Sequence, residues 1–403
     1  MRDILHCDLN NFYASCECLA NPELKGKAVA VGGSVEDRHG VIVASNYKAK
    51  SFGIKCGVTV YQALKLCPDV VICTPNFKLY NEMSQKVRKI YADYTDQVEV
   101  FSIDECWLDV THSKMFGSPI EIANKIRERV KAEIGLTISV GVSFNKTFAK
   151  IGSDLKKPDA TTEITVDNYK DIVWRLPVND MFGVGRQTKL KLFKLGVNTI
   201  GDLAKFSKEV LIKQFGKVGE MLYNNSNGLD EEPVAYLDDS QQPKSVGNST
   251  TFYKDLTKRK DIELGFTVIA ESVVSRMIKH DLKCAKTLSI VVKDTQLNVY
   301  QKQCQLNPPC RDTNIYTQTA IKLFYDNFKY LTGVRLLGIT VGDWCDELSQ
   351  VSMFDSAKPK KCMDSVVVKI RDKFGIGAIK KGNTLLDNKI AQTFVNEHLD
   401  KND

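Results

Sequence analysis

This 403-residue chain contains the stretch Phe101-Ser102-Ile103-Asp104-Glu105-Cys106-Trp107-Leu108-Asp109. It places an acidic pair between two apolar runs, and this pattern predicts a β-hairpin built from Val98–Phe101 and Cys106–Val110. A second apolar run, Ile4-Leu5-His6-Cys7-Asp8, also ends on a carboxylate and is apolar on both faces, as a central buried strand is. If the strand and the hairpin are neighbours, they bring Asp8 close to the acidic pair.

Carboxylates gathered in this way have a defined chemical use. Crowding raises their pKa values and costs free energy unless cations neutralise them. Carboxylate oxygens suit Mg²⁺, and two such ions about 3.5–4 Å apart form a clamp for in-line phosphoryl transfer. An Asp at a strand end and an Asp-Glu pair in a turn are also common surface features, so the acids alone leave that alternative open.

The sequence around the acids resembles the motifs of Y-family DNA polymerases, in the order that the family has them. The matching stretches are Asp8-Leu9-Asn10-Asn11-Phe12-Tyr13-Ala14-Ser15, Ala44-Ser45-Asn46-Tyr47-Lys48-Ala49-Lys50-Ser51-Phe52-Gly53-Ile54, Ser102-Ile103-Asp104-Glu105 with Trp107-Leu108-Asp109, Val140-Gly141-Val142-Ser143-Phe144-Asn145-Lys146, and Lys156-Lys157-Pro158. They cover about the first 160 residues, and the resemblance extends more weakly to the C-terminus.

Hydrophobic periodicity places these motifs on secondary structure. With the hairpin and the first strand, helices near 79–93, 120–134 and 146–154 and a strand at 137–143 give the order β-α-β-β-α-β, the ferredoxin-like arrangement. An insertion after the first strand is predicted to contain strands at 28–31 and 41–44 and short helices near 46–51 and 60–67. Residues 166–235 are predicted to be helical, and a later segment to hold a helix at 261–280 and strands at 287–292 and 336–341.

The fold class predicted from this order is α+β and multidomain, in agreement with a length that suggests two to four domains. The resemblance supplies the domain names and implies these boundaries: a ferredoxin-like palm at 1–10 and 78–165, inserted small fingers at 11–77, a helical helix-hairpin-helix thumb at 166–235, an α/β little finger at 242–345, and a C-terminal tail at 346–403.

Composition narrows the setting of the protein. No apolar run approaches the roughly 18 residues that a membrane span needs, and Asp3, His6 and Asp8 interrupt the first apolar stretch, so no signal peptide is expected. We therefore expect a cytoplasmic, nucleoid-associated protein. The 12 cysteines include no C-x-x-C pair, so we expect reduced core thiols and no structural zinc site.

Basic charge is concentrated in the predicted little finger. The net charge is +7, and residues 241–345 hold 15 Lys and Arg against 9 Asp and Glu, an excess of six. A solvated basic face is the plain alternative, but basic segments also supply most non-specific affinity for nucleic acids. Lys244, which opens a phrase similar to the start of the family's little finger, is predicted to bind DNA.

The predicted thumb contains Met181-Phe182-Gly183-Val184-Gly185-Arg186 before a helix. Gly-x-Gly at such a place lets the backbone approach a phosphate, although it is more often only a tight turn. Here it resembles the helix-hairpin-helix of the family, and Gly183, Gly185 and Arg186 are predicted to bind DNA.

The predicted tail contains Gln350-Val351-Ser352-Met353-Phe354, an apolar pair in a polar setting. It resembles the peptide by which bacterial polymerases dock into the sliding clamp (β clamp), with Gln350, Met353 and Phe354 as the contacts. The extension beyond it is similar to the UmuC, or polymerase V-like, subgroup, which is related to polymerase IV. The resemblance leaves open whether a UmuD-like accessory protein or a recombinase filament takes part.

The resemblance implies a role for each candidate site residue. Asp8, Asp104 and Glu105 are catalytic and hold two Mg²⁺ ions with the backbone carbonyl of Leu9. Tyr13 is a steric gate against ribonucleotides, with a core aromatic as the alternative, and Phe12 is the core residue. Tyr47, Lys50 and Lys157 bind the triphosphate; Lys50 stands where family members usually carry Arg and so lacks the bidentate fork. Asn10 stands where many relatives have an acid.

The function implied is template-directed DNA polymerisation for translesion synthesis, with nucleotidyl transfer from a dNTP to the primer 3′-hydroxyl and a place in the SOS response to DNA damage. The fingers insertion is short, and low fidelity follows because selection by shape needs an enclosing pocket. Two alternatives stay open: a nucleotidyl cyclase-like enzyme on a ferredoxin-like core, and a non-catalytic DNA-binding scaffold.

Overall fold

A computed structural model of the chain describes residues 2–34, 40–237, 239, 242–346, 363–375, 378–379, 382 and 390. The chain begins with strand β1 (Ile4–Leu9), whose six residues are all buried, and helix α1 (Phe12–Ala20). None of the helices in these ranges is long and apolar enough to cross a membrane.

The inserted fingers form a small unit with its own core. Its elements are β2 (Val29–Gly32), β3 (Ile42–Ser45), α2 (Tyr47–Ser51), α3 (Val60–Leu66) and β4 (Val71–Cys73), with the strand order β3-β2-β4. Side-chain caps fix where the two helices begin, because Asn46 accepts a hydrogen bond from the Ala49 amide and Thr59 forms a capping box with Gln62.

The palm is a five-stranded sheet with helices packed against it. Its further elements are α4 (Phe77–Ala92), β5 (Val98–Val100), β6 (Glu105–Asp109), α5 (Pro119–Arg129), β7 (Ile138–Ser143), α6 (Lys146–Leu155) and β8 (Thr161–Ile164). The strand order β5-β6-β1-β7-β8 confirms the predicted ferredoxin-like arrangement, to which β8 adds an edge strand that the sequence did not predict. The helix predicted at 120–134 is α-helical only to Arg129 and ends in a π-helical turn, Val130–Ile134.

Strand β1 lies at the centre of this sheet and is antiparallel to both β6 and β7. Helix α6 packs so closely on β7 that a Cβ built on Gly141 would lie 1.8 Å from the Ala149 carbonyl oxygen, so only glycine fits there. Phe12 and Cys16, which fall in the range predicted for the fingers, are buried in the palm core. Strand β1 is therefore held between β6 and β7, with helix α6 also in contact with it.

The thumb is helical, as predicted. It contains α7 (Tyr169–Ile172), α8 (Arg186–Lys194), α9 (Ile200–Lys205), α10 (Lys208–Phe215) and α11 (Lys217–Ser226). After α11 the chain runs back along the palm, where Arg2 donates to the carbonyl oxygens of Asp230 and Glu232 at 2.7 Å each and Thr147 Oγ1 donates to Asp230 at 2.8 Å. These bonds tie the thumb to the palm.

The C-terminal unit is a second sheet covered by helices. Its elements are β9 (Ser245–Leu256), α12 (Arg259–Lys279), β10 (Cys284–Asp294), β11 (Val299–Cys310), α13 (Thr313–Phe328) and β12 (Val334–Cys345), with the strand order β11-β10-β12-β9. Helices α12 and α13 supply much of its core, including Phe266, Val273, Tyr316 and Phe324.

Part of the predicted tail packs on this unit. Helix α14 (Asp364–Phe374) lies against α12, and Arg371 forms an ion pair of 3.0 Å with Glu271 in which both side chains are nearly buried. The Asp364 carboxylate also accepts a hydrogen bond from the Thr313 amide at 3.0 Å. Gln350, Met353 and Phe354 lie outside the described residues, so the clamp peptide stays a sequence prediction.

Candidate active site

Strand pairing brings the two acidic stretches together. Asp8 and Glu105 are direct Cα partners on β1 and β6, and the Leu9 amide donates to the Asp104 carbonyl oxygen at 3.0 Å. The turn that carries Asp104 is held in place, because Ser102 Oγ donates to Asp104 Oδ1 at 2.6 Å and the Ser84 hydroxyl donates to the Ile103 carbonyl oxygen. The acids thus lie together at one end of the interior strands β1 and β6.

Asp8 lies in a buried position and is paired with a lysine. Its Oδ2 atom is 2.7 Å from Lys157 Nζ, which also lies 2.7 Å from Asp154 Oδ1. Burial raises the pKa of the Asp8 carboxyl to about 7, against the attraction of Lys157 and with a further contribution from Glu105. Burial lowers the pKa of Lys157, but the carboxylates of Asp8 and Asp154 outweigh it and raise that pKa above its usual value.

Glu105 also has a lysine partner. Lys150 Nζ on α6 is 2.7 Å from Glu105 Oε2, and the fully buried His6 places Nε2 3.9 Å from the same oxygen. His6 Nδ1 lies 2.8 Å from Ser153 Oγ, and burial, followed by the charge of Lys150, lowers the pKa of His6 well below its usual value. In the sequence, His6 lies within a mostly apolar run and gives no signal of this contact. The signal for Lys150 is its helical spacing of four residues from Lys146.

The donor set fits divalent cations. In the described part of the chain, no three acidic, histidine or cysteine side chains surround a common point. Instead, the two ammonium groups of Lys150 and Lys157 lie on the carboxylates of Glu105 and Asp8. The buried Asp8 carboxyl has a raised pKa and a second carboxylate beside it. A hard cation that prefers oxygen ligands would stabilise its ionised form.

A cavity of about 320 Å³ joins the palm acids to the fingers. Seven of the residues predicted from the sequence line it: Asp8, Leu9, Tyr13, Tyr47, Lys50, Asp104 and Lys157. Glu105 lies next to this cavity, on the strand that pairs with Asp8. The cavity therefore combines metal-type ligands, an aromatic wall and basic side chains in one place.

Tyr13 forms the aromatic wall. It lies in the first turn of α1, and its ring stacks on Tyr80 of α4 with a centroid distance of 4.3 Å and an interplanar angle of 13°. Phe77 approaches it edge-on at 5.8 Å. Phe12 is buried in the palm core, as the sequence predicted.

The fingers contribute the basic side of the cavity. Tyr47 and Lys50 lie on α2, with Lys50 Nζ 5.0 Å from the centre of the Tyr47 ring. The Lys50 ammonium donates to Asn11 Oδ1, and burial together with the charge of Lys157 lowers the pKa of Lys50. Asn10, in contrast, has a structural role, because its side chain donates to Ser139 Oγ at 2.9 Å and accepts from the Asp159 amide at 2.9 Å.

The predicted DNA contacts lie away from this cavity. Gly183 has a left-handed φ of +87°, Gly185 precedes the first residue of α8, and Arg186 is that first residue. A second cavity, of about 390 Å³, is lined by Gly183 and Gly185 of the thumb and by Lys150 and Asp154 of the palm. Lys244 is exposed and directly precedes β9.

Family models match most of the chain. The description "impB/mucB/samB family" matches residues 7–154, "impB/mucB/samB family C-terminal domain" matches residues 243–353, and "DNA polymerase-iota, thumb domain" matches residues 179–230. These ranges contain the acids, the Gly-x-Gly segment and the basic C-terminal sheet.

Sequence similarity to known proteins covers nearly the whole chain. DNA polymerase IV of Acetivibrio thermocellus is 46% identical over 392 residues, which cover 96% of this chain and 98% of that protein. DNA polymerase IV 1 of Bacillus subtilis is 35% identical over 390 residues, which cover 95% and 93%.

Among solved structures, the Y-family DNA polymerase chimera Dbh-Dpo4(243-245)-Dbh is similar to this chain with a TM-score of 0.76. The match covers 86% of this chain and 100% of the chimera at 22% identity. It confirms the predicted α+β multidomain fold.

Proposed function

The chain belongs to the impB/mucB/samB family of Y-family DNA polymerases, and from this membership we propose how its residues carry out DNA synthesis. The chain is a translesion DNA-directed DNA polymerase of the polymerase IV type, as the sequence predicted. The polymerase V-like interpretation of its extension stays a prediction. The observation that best supports the proposed site is the cavity where Asp8 and Asp104 face Tyr47, Lys50 and Lys157.

Asp8, Asp104, Glu105 and the Leu9 carbonyl would hold two Mg²⁺ ions. When bound, the ions would lower the pKa of the primer 3′-hydroxyl and stabilise the negative charge on the departing pyrophosphate. Lys150 and Lys157 neutralise the acids in this structure, each at 2.7 Å, so both would change partners when the site is loaded. The hydroxyls of Ser84 and Ser102 donate to the turn that carries Asp104 and would help to position this carboxylate.

The nucleotide would occupy the cavity with its phosphates toward the fingers. Tyr47, Lys50 and Lys157 would bind the triphosphate, and the Lys157 ammonium would transfer from Asp8 to a phosphate oxygen. Charge-assisted bonds of this kind are among the stronger hydrogen bonds in proteins. The Tyr13 ring would lie against C2′ of the sugar and leave no room for a ribose hydroxyl.

Primer-template DNA is the macromolecular partner of this polymerase. We assign Gly183, Gly185 and Arg186 to phosphate binding at the start of α8, and Lys244 to contacts with the duplex beside the C-terminal sheet. The similar proteins do not favour the cyclase-like and scaffold alternatives. They are named DNA polymerase IV, and the matches cover nearly their full length. A cytoplasmic, nucleoid-associated location also belongs to this proposal.

Replacement of Lys157 tests the triphosphate assignment. We expect Lys157→Met to raise the KM for dNTP by about ten- to a hundredfold, because a charged hydrogen bond to the nucleotide is lost. Lys156→Met is the matched control, since Lys156 is exposed and does not line the cavity. Steady-state primer extension over a range of dNTP concentrations measures the KM of both variants and of the wild type. A KM of Lys157→Met equal to that of the wild type would contradict the assignment of Lys157 to triphosphate binding.

We further propose that Gln350, Met353 and Phe354 dock into a sliding clamp. Replacing Met353 and Phe354 with Ala should abolish stimulation by a loaded clamp and leave distributive synthesis unchanged, because buried apolar anchors dominate small interfaces. Met363 and Phe374, which are 71% and 68% exposed, provide a matched Met/Phe control pair. Primer extension with and without clamp decides the matter: equal stimulation of both double variants and the wild type would rule out this partner site.

A further inference from the structure

We propose that Tyr80 is a positioning residue for sugar selection: it holds the Tyr13 ring in place, so that a ribonucleotide cannot push it aside. The inference rests on the proposed function of Tyr13 as the steric gate. Tyr80 does not line the nucleotide cavity and would act only through Tyr13.

The contact between the two rings is close and nearly parallel. The centroids are 4.3 Å apart and the planes differ by 13°. Phe77 is edge-on to both rings, at 5.8 Å from Tyr13 and 5.7 Å from Tyr80. Tyr13 therefore has one face covered by Tyr80 and an edge contact with Phe77, while the cavity lies beside it.

Tyr80 is itself held firmly. Its side chain is fully buried, and its hydroxyl donates to Glu17 Oε1 at 2.5 Å. Burial, followed by the bond to Glu17, raises the pKa of Tyr80, so the hydroxyl keeps the proton that it donates. Phe12 packs on the same ring at 6.2 Å.

Glu17 and Tyr13 are four residues apart on α1 and so share one face of that helix. Tyr80 contacts both of them, Glu17 through its hydroxyl and Tyr13 through its ring. Helix α4 is thus fixed to α1 at two points, one polar and one aromatic. A displacement of Tyr13 toward Tyr80 would have to disturb both.

The support of the Tyr13 ring matters because a small displacement of this ring would be enough to admit the 2′-hydroxyl of a ribonucleotide. A 2′-hydroxyl adds a single oxygen atom, and a ring free to retreat would admit it. Protein interiors are close-packed and yield little, so a wall backed by a buried, anchored ring discriminates better than an unsupported one. Tyr80 and Glu17 then contribute to sugar selection through Tyr13, although neither lines the nucleotide cavity.

The test is the ratio of kcat/KM for a dNTP to that for the matching rNTP. Tyr80→Leu removes the stacking partner and should lower this ratio about tenfold, while Tyr80→Phe keeps the ring but loses the Glu17 anchor and should lower it about threefold. Incorporation of dNTP should change less than the ratio does in both variants. If Tyr80→Leu does not fold, the buried and nearly isosteric Tyr80→Phe variant carries the test.

A double-mutant cycle with Tyr13→Ala completes it. Once the Tyr13 ring is absent, Tyr80→Leu should cause no further loss of selectivity. Unchanged ratios in both Tyr80 variants, with a lowered ratio in Tyr13→Ala, would overturn the role of Tyr80 and leave the gate intact. An unchanged ratio in Tyr13→Ala would instead overturn the gate itself, and the role of Tyr80 with it. Additive effects in the double variant would show that Tyr80 acts independently of Tyr13 and would also overturn the inference.

Discussion

Asp104→Ala is expected to abolish nucleotide incorporation, with a loss of about a thousandfold or more, because the variant lacks one of the carboxylates that would hold the metal ions. Asp8→Ala and Glu105→Ala should behave in the same way. Affinity for primer-template DNA should stay nearly unchanged, since it depends on Lys and Arg contacts to phosphates. Single-turnover primer extension and a DNA-binding titration on the same preparations measure the two quantities.

The hairpin that carries Asp104 also offers a matched control. Asp109 lies at the far end of β6, opposite Ile4, where its carboxylate accepts from the Thr111 amide at 2.9 Å. Asp109→Asn should retain activity, whereas the equally isosteric Asp104→Asn should lose it. Near wild-type incorporation by Asp104→Ala would remove Asp104 from the catalytic site.

Tyr13→Ala is expected to admit ribonucleotides, with a fall in selectivity of about a hundredfold, because the space that faces C2′ opens. Incorporation of dNTP should fall less than selectivity does, since the acids and the basic residues of the cavity remain. The measurement is kcat/KM for a dNTP and for the matching rNTP opposite the same template base. If the selectivity of the variant equals that of the wild type, Tyr13 is an ordinary core aromatic.

Short-range patterns predict four of the five palm strands, β1, β5, β6 and β7. The run Ile4–Asp8 is apolar on both faces because β1 lies between β6 and β7, and the acidic pair interrupts an apolar hairpin because it forms the turn and the strand start. The order of elements then predicts that Asp8 lies beside Glu105, as the strand pairing confirms. These features depend on periodicity, which the sequence displays directly.

Other parts of the fold were not predictable in this way. Strand β11 has no clear signal in the sequence, because Pro308 and Pro309 fall within it and Pro normally argues against a strand. Pro is tolerated here because, among the described strands, β11 lies at the edge of the sheet next to β10. The docking of α14 through Arg371 and Glu271 was also missed, since a charged pair 100 residues apart leaves no local pattern.

The candidate site shows the same limit. The motifs identified the acids, Tyr13 and the basic residues, but not their partners in space. Tyr80 is 67 residues from Tyr13, and its position behind that ring follows only from the packing of α4 on α1. The pairing of Lys150 with Glu105 depends likewise on how α6 crosses the sheet. Such contacts depend on tertiary structure, and hydrophobic periodicity in the sequence does not reveal them.

Whether the chain is a translesion DNA polymerase is tested directly by primer extension. The assay uses the purified wild-type chain with Mg²⁺ and each dNTP in turn, on an undamaged template and on one with an abasic site. A translesion polymerase should insert the complementary nucleotide on the undamaged template and extend the primer past the abasic site, and Asp104→Ala should do neither. Absence of extension on the undamaged template, or insertion that ignores the template base, would contradict the assignment of this chain as a template-directed DNA polymerase.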